Sequence, residues 1–208
     1  MKTIKTNIQF KGIFRKRYKT ERIVLHHSAS SITTTIQDMH RWHQGKGWSG
    51  LGYHYVIYPD GTIYKGRPEW ARGAHAWQDA QHEANTDGLG ICLIGNFMEG
   101  KPTEAQLSSV IWLIKDIRNR YPGIPVIGHK DVMATACPGK NFPWVELYKR
   151  LEGNNLEIWM KKLGEESIDY LVKEGIIKNP EYWKPRLGEG EPPYWLFFTM
   201  LRRLDERR

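Results

Sequence analysis

The sequence is short of several features, and each absence removes a class of protein. Only two cysteines occur in 208 residues, Cys92 and Cys137, so no disulfide framework can carry the fold. No apolar run approaches the roughly 20 residues that a membrane-crossing helix needs. The basic start, Met1 to Lys19, is not followed by an apolar stretch with a small-residue cleavage site. The expectation is therefore a chain without a secretion signal, synthesised in the cytoplasm. There are no internal repeats. Nucleic-acid motifs are missing too, and the basic start lacks the regular aromatic interleaving of a strand-binding surface.

What remains is a globular composition, 40% hydrophobic and 26% charged, in a chain long enough for one ordinary domain and a small appendage. The net charge of +8 is unevenly spread: residues 1–22 carry eight Lys and Arg against one acid, Glu21. From 23 to 153 there are 13 basic and 12 acidic residues, and from 154 to 208 ten of each. Nearly all the excess thus sits in one N-terminal arm. Such an arm suits either an anionic polymer or a plain solvated flank.

Hydropathy patterning supplies the framework. Arg22 to His27 (RIVLHH) reads as a strand ending on histidines, and Thr33 to Gly45 as a helix with Ile36, Met39, His40 and His43 at helical spacing. Tyr53 to Tyr58, the turn Pro59-Asp60-Gly61 and Thr62-Ile63-Tyr64 read as a hairpin. Leu89 to Ile94 has no polar alternation, which predicts a central strand buried on both faces. A capping box at Thr103 and Gln106 opens a helix with Leu107, Val110, Ile111, Ile114 and Ile117 on one side. Pro125 to Gly128 is a short strand delivering His129. Strands interleaved with helices, one pair a hairpin, predict an α/β domain with a central mixed sheet flanked by helices.

The character changes near Gly153-Asn154-Asn155. Beyond lie a helical pattern (Ile158, Trp159, Leu163, Ile168, Leu171, Val172), a Pro/Gly-rich loop from Pro185 to Pro193, and an apolar helix from Tyr194 to Leu204. The predicted organisation is a main domain over 1–153, with the basic arm 1–22, and a small helical module over 154–208. Trp183 and Tyr194 are read as exposed aromatics of that module, although core packing explains them as well.

Catalytic zinc takes three protein ligands and leaves one position open. His26 at a strand end, His129 after a second strand and Cys137 in a Pro/Gly-closed loop eight residues further on have suitable chemistry. Eight histidines allow many pairings, however, and a lone histidine is more often a polar surface or core residue. Cys92, inside an apolar run, reads as an inert buried thiol. His27 should point to the opposite face of its strand from His26, and His43 and His54 read as packing or surface residues.

The segments around these residues carry more. Val24-Leu25-His26-His27-Ser28-Ala29, Gly52-Tyr53-His54-Tyr55, Gly73-Ala74-His75-Ala76, Leu89 to Asn96, and Gly128-His129-Lys130-Asp131 through Thr135-Ala136-Cys137-Pro138-Gly139 occur in this order. Over about residues 20–150 the series resembles the type 2 N-acetylmuramoyl-L-alanine amidases, a family that includes phage lysozyme-type amidases and animal peptidoglycan recognition proteins. The resemblance implies a zinc site in a surface groove that takes bacterial peptidoglycan as muramyl peptide. It also implies hydrolysis of the amide joining the lactyl group of N-acetylmuramic acid to L-alanine. His26, His129 and Cys137 fall on the zinc positions, and Tyr53 on the tyrosine that assists catalysis. Thr135 falls where some relatives carry lysine and active recognition proteins threonine. His75, Trp77 and Asn85 are implied as substrate contacts.

One departure concerns the general base. Some relatives carry a glutamate on the central strand, where this chain has Cys92; Glu69, Glu83 and Asp131 are the carboxylates left to consider. A non-catalytic receptor on the same scaffold is the alternative, and loss of the cysteine ligand is the usual mark of that branch. For a wall hydrolase, the missing signal suits a phage endolysin that acts after release, and equally a bacterial enzyme that recycles wall fragments inside the cell. The arm is then a candidate for anionic wall polymers and the C-terminal module for wall binding.

Overall fold

The chain divides into two compact units, Met1–Leu147 and Tyr148–Arg208; the computed structural model describes residues 1–76, 83–153 and 156–187. In the first unit, β1 (Thr3–Lys5), β2 (Arg22–His27), β3 (Tyr55–Ile57), β4 (Ile63–Lys65), β5 (Gly88–Leu93) and β6 (Val126–Gly128) form one sheet in the order β1-β4-β3-β5-β2-β6. The β3–β4 hairpin is antiparallel and the other neighbours run parallel. The expected mixed sheet with helices is what forms. Central β5 is buried at all six residues and β2 at five of its six, which is why neither shows polar alternation.

Local signals set the element ends. Thr35 caps α1 (Ile36–Gly45) in a reciprocal capping box with Asp38. Thr103 and Gln106 do the same for α3 (Glu104–Arg120), whose Leu107, Val110, Ile111, Ile114 and Ile117 are buried as the periodicity predicts. Gln106 also ties the helix start to two strand ends, because its side-chain Nε2 donates to the carbonyls of Ile94 (2.8 Å) and Ile57 (3.2 Å). At the hairpin turn Gly61 takes φ +86°, a left-handed conformation that suits glycine. Two short helices, α2 (Ala84–Asp87) and α4 (Trp144–Glu152), complete the described helices up to residue 153.

Register decides which residues share a face. His26 pairs with Cys92 and Cys92 with Val56, while Leu25 pairs with Ile91 and Ile91 with Tyr55. Alternation along a strand puts His26, Cys92 and Val56 on one face. Ile36 and Met39 of α1 pack there, with Tyr53 against the same cluster. Tyr55 belongs to the other face, where its hydroxyl bonds Glu69.

The N-terminal arm is built into this unit. Its β1 extends the sheet beside β4, Lys16 bridges to Ala71, and the Gln9 carbonyl meets His40 Nε2 at 3.0 Å. Arg17 is buried, its guanidinium spent on the Glu69 and Lys19 carbonyls and on Thr20 Oγ1. A purely solvated flank is therefore not what residues 1–22 form, because strand pairing and carbonyl acceptors absorb much of it.

The second unit contains α5 (Leu156–Lys173), α6 (Pro180–Trp183) and a 3-10 turn over Lys184–Arg186. Ile168, Leu171 and Leu187 form its described core, with Tyr170, Val172, Ile177 and Trp183 packed against it. Trp183 is thus half-buried against that core; its neighbour Tyr182 is the one left 52% exposed. Tyr194, the predicted helix from 194 to 204 and the loop beyond residue 187 lie outside the described residues. The division at 147/148 falls inside α4, not at the Gly153–Asn155 segment. No described helix is long and apolar enough to cross a membrane.

Candidate metal centre and active site

Two parallel strand ends and a returning loop create the site. Leu25 of β2 pairs with Gly128 of β6, so the next residues, His26 and His129, emerge side by side with ring centroids 4.5 Å apart. His129 opens a 3-10 turn closed by Asp131, whose Oδ2 accepts from Gly128 N at 2.8 Å. The chain then folds back through a backbone bond from Lys130 N to the Cys137 carbonyl (2.8 Å). That return brings Cys137 Sγ to 3.8 Å from His26 Nδ1 and to 3.4 Å from the donating N–H of His27. One ligand atom from each of His26, His129 and Cys137 lies within 4.8 Å of the other two, and no other such cluster occurs among the described residues.

Charge is scarce there. Burial, then the nearby imidazoles of His75 and His129, hold His26 well below its usual range. Burial brings His129 down to about 4 and pushes the Cys137 thiol up to about 11, the latter opposed by the His27 N–H. Without a cation the three are thus two neutral imidazoles and a thiol, and a divalent ion would supply the charge that makes the thiolate favourable. His129 Nε2 is buried with no hydrogen-bond partner, an expensive state unless something binds it. Donor type, spacing and this orphaned nitrogen all fit a tetrahedral-preferring metal such as zinc.

The remaining histidines with described positions are occupied. His27 Nδ1 accepts from Phe97 N (3.0 Å), His43 Nδ1 from Gly52 N (3.0 Å), and His54 Nδ1 from Gly90 N (2.9 Å). His40 bonds Leu51 N and the Gln9 carbonyl. These are the structural readings expected of His27, His43 and His54.

Tyr53 lies beside the cluster, its ring centroid 5.1 Å from that of His26. Burial and the neighbouring thiols, Cys92 above all, keep its phenol protonated far above neutral pH, which makes it a hydrogen-bond donor. Cys92 is fully buried and its thiol is likewise pushed up by burial, in keeping with an inert core residue. Thr135 is half-buried in the Cys137 loop, and its Oγ1 accepts from Cys137 N at 3.3 Å.

The three carboxylates considered as bases are employed elsewhere. Glu69 accepts from Tyr55 and pairs with Arg120 at 2.7 Å; Glu83 lies near Lys19 at 3.8 Å. Asp131 holds the Gly128 turn. None of them joins the cluster of His26, His129 and Cys137.

His75 and Asn85 turn inward. Both are buried, and Asn85 Oδ1 accepts from the backbone N–H groups of His75 (2.8 Å) and Ala76 (3.0 Å). His75 Nδ1 lies 3.1 Å from His26 Nε2. Sequence reasoning placed these two residues toward substrate and missed this contact; the glycines around His75 were the available signal. Trp77 lies outside the described residues.

Comparison with known proteins decides the family. The family model Amidase_2, N-acetylmuramoyl-L-alanine amidase, matches residues 16–140. The chain belongs to this amidase family. Among its relatives, an endolysin of Klebsiella phage KP32 is 33% identical over 132 residues, covering 60% of this chain and 84% of the relative. The solved N-acetylmuramoyl-L-alanine amidase LysC from Clostridium intestinale URNW is 38% identical with TM-score 0.68, over 73% of this chain and 98% of that one. Peptidoglycan recognition protein-LE, solved in complex with tracheal cytotoxin (monomeric diaminopimelic acid-type peptidoglycan), is 25% identical with TM-score 0.60, over 67% and 86%. Strands β2 to β6 and the strand-end cluster lie within the matched segment, and β1 lies before it.

Proposed function

We propose that the chain is a zinc-dependent N-acetylmuramoyl-L-alanine amidase of the endolysin kind, cutting the amide between the muramic acid lactyl group and L-alanine. The observation that carries this reading is the convergence of one donor each from His26, His129 and Cys137 within 4.8 Å, in a chain of the amidase family. A zinc ion bound there supplies a Lewis acid for the scissile carbonyl and lowers the pKa of water.

The protein's own groups do the rest. His26 and His129 offer neutral imidazoles because burial disfavours their protonated forms. The His27 N–H, directed at Cys137 Sγ, stabilises negative charge on that sulfur. Tyr53, held protonated, donates a hydrogen bond to the oxyanion developing at the scissile carbonyl. Thr135, held beside Cys137 through its Oγ1, has its hydroxyl proton to give to the same charge. In the net reaction the C–N bond breaks, the oxygen of water ends on the lactyl carboxylate, and the alanine nitrogen leaves as an amine.

Likeness to recognition proteins supports a competing reading, binding of muramyl peptide without cleavage. Cys137 argues for the enzyme, since a pure receptor has no use for a third metal donor. Digestion of purified muropeptide separates the two: the enzyme releases peptides with new L-alanine amino termini, and a receptor leaves the substrate intact. For the helical module over 154–208 we propose a wall-binding role, on the ground that a separate small core attached to a hydrolase suits substrate anchoring.

A further inference from the structure

We propose that His75 is a positioning residue for the metal centre: its Nδ1 accepts the Nε2–H of His26, which fixes the tautomer of His26 that leaves Nδ1 free as the metal donor. The inference rests on the amidase reading only in taking the His26, His129 and Cys137 cluster as a metal site.

Geometry identifies the two ends of His26. Its Nδ1 faces Cys137 Sγ at 3.8 Å, while its Nε2 faces His75 Nδ1 at 3.1 Å. A neutral imidazole carries one proton, and a nitrogen that carries it cannot ligate. Ligation through Nδ1 therefore requires the proton on Nε2, and an acceptor opposite Nε2 favours that arrangement. His75 is the side chain in that place. As acceptor at Nδ1 it carries its own proton on Nε2, which has no direct partner.

The fold is shaped to hold the ring in this spot. A Cβ on Gly90 of the central strand would stand 2.4 Å from His75 Cδ2, and one on Gly73 would stand 2.5 Å from the same atom. Only glycine at both positions leaves room for the imidazole. From the other side Asn85 clamps the backbone of His75 and Ala76 through its Oδ1 and donates its Nδ2 to the Ala76 carbonyl. His54 lies edge-on to the His75 ring, with centroids 5.7 Å apart. Asn85 thus sets His75, and His75 sets His26. A histidine that served only to touch substrate from a loop would need neither the glycine cradle nor its 6% exposure.

The test uses the full chain and measures zinc affinity by chelator competition, with muropeptide kinetics alongside. His75→Leu is expected to weaken zinc binding about 10- to 100-fold with KM for muropeptide changed less than about twofold. His75→Asn, which keeps an acceptor near the position of Nδ1, should recover most of the affinity. Should His75→Leu fail to fold, nitrogen-15 spectra of the histidines in the metal-free wild type decide the matter. Protonated Nε2 with bare Nδ1 on His26, and bare Nδ1 on His75, support the inference. Nδ1–H on His26 overturns it, as does unchanged zinc affinity in His75→Leu with a raised KM, the pattern of a substrate contact. A wild type that binds zinc tightly yet cleaves nothing would refute the amidase reading and leave the His75 comparison standing on affinity. A wild type that binds no zinc overturns both.

Discussion

Replacing Cys137 by alanine should separate metal binding from folding. The side chain is 8% exposed and its sulfur accepts the His27 N–H. The loop, however, is closed by backbone bonds, Lys130 N to the Cys137 carbonyl and Gly139 N to the Ala136 carbonyl, which the substitution leaves in place. Loss of one buried sulfur and one weak N–H···S bond should cost the metal-free protein about 1–2 kcal/mol. Zinc affinity should respond far more. Structural zinc sites with four ligands bind with apparent free energies of about 10–16 kcal/mol, so one ligand in four is worth about 2.5–4 kcal/mol, or roughly 10²- to 10³-fold in affinity. Competition with a chromogenic chelator reads the affinity, and calorimetric melting of metal-free samples reads the stability. The reasoning fails if Cys137→Ala binds zinc as tightly as the wild type, or if the metal-free variant no longer folds.

Other consequences follow from the same geometry. Burial lowers His54 to about 3 and His43 to about 4, the latter helped by Lys46 and Arg67. The unfolded chain then binds more protons than the folded one between about pH 6.5 and 4, so stability falls as pH drops through that window. Melting temperatures of the metal-free protein should decline there; a flat profile from 6.5 to 4 would contradict the burial argument. Tyr53→Phe keeps the ring against His26 and removes only the hydroxyl, so kcat should drop about 10²- to 10³-fold at unchanged zinc content; undiminished kcat would remove Tyr53 from the chemistry. Deleting residues 155–208 should weaken sedimentation with purified cell walls while leaving a folded amidase unit. Equal sedimentation of a folded truncation would remove the wall-binding role.

Much of the fold was legible in the sequence because its central elements depend on near neighbours in the chain. β2 and the first residues of α3 are set by β-branched runs, capping residues and apolar spacing, all local. β1 was not legible: Thr3–Lys5 is three residues long, exposed or half-buried, and paired with a strand some 60 positions away. The arm's charge drew attention while its hydrogen bonding went unseen. Trp183 illustrates the same limit, since an aromatic in a short helix reads alike whether it packs or protrudes. At the site, His26, His129 and Cys137 were legible through the segments around them. The His75–His26 contact was not, because it spans 49 positions and depends on two glycines in different segments leaving a gap of the right size.

In the proposed reaction water is added across the lactyl–alanine amide, with His26, His129 and Cys137 holding the metal. Digesting purified muropeptide in oxygen-18 water and locating the label by mass spectrometry tests it most directly. One labelled oxygen should appear on the lactyl carboxylate, none on the sugar, and the alanine amine should be free; chelation should abolish the product and added zinc restore it. Label at a reducing sugar end, label at a peptide carboxylate beyond alanine, or cleavage indifferent to chelator would contradict the account.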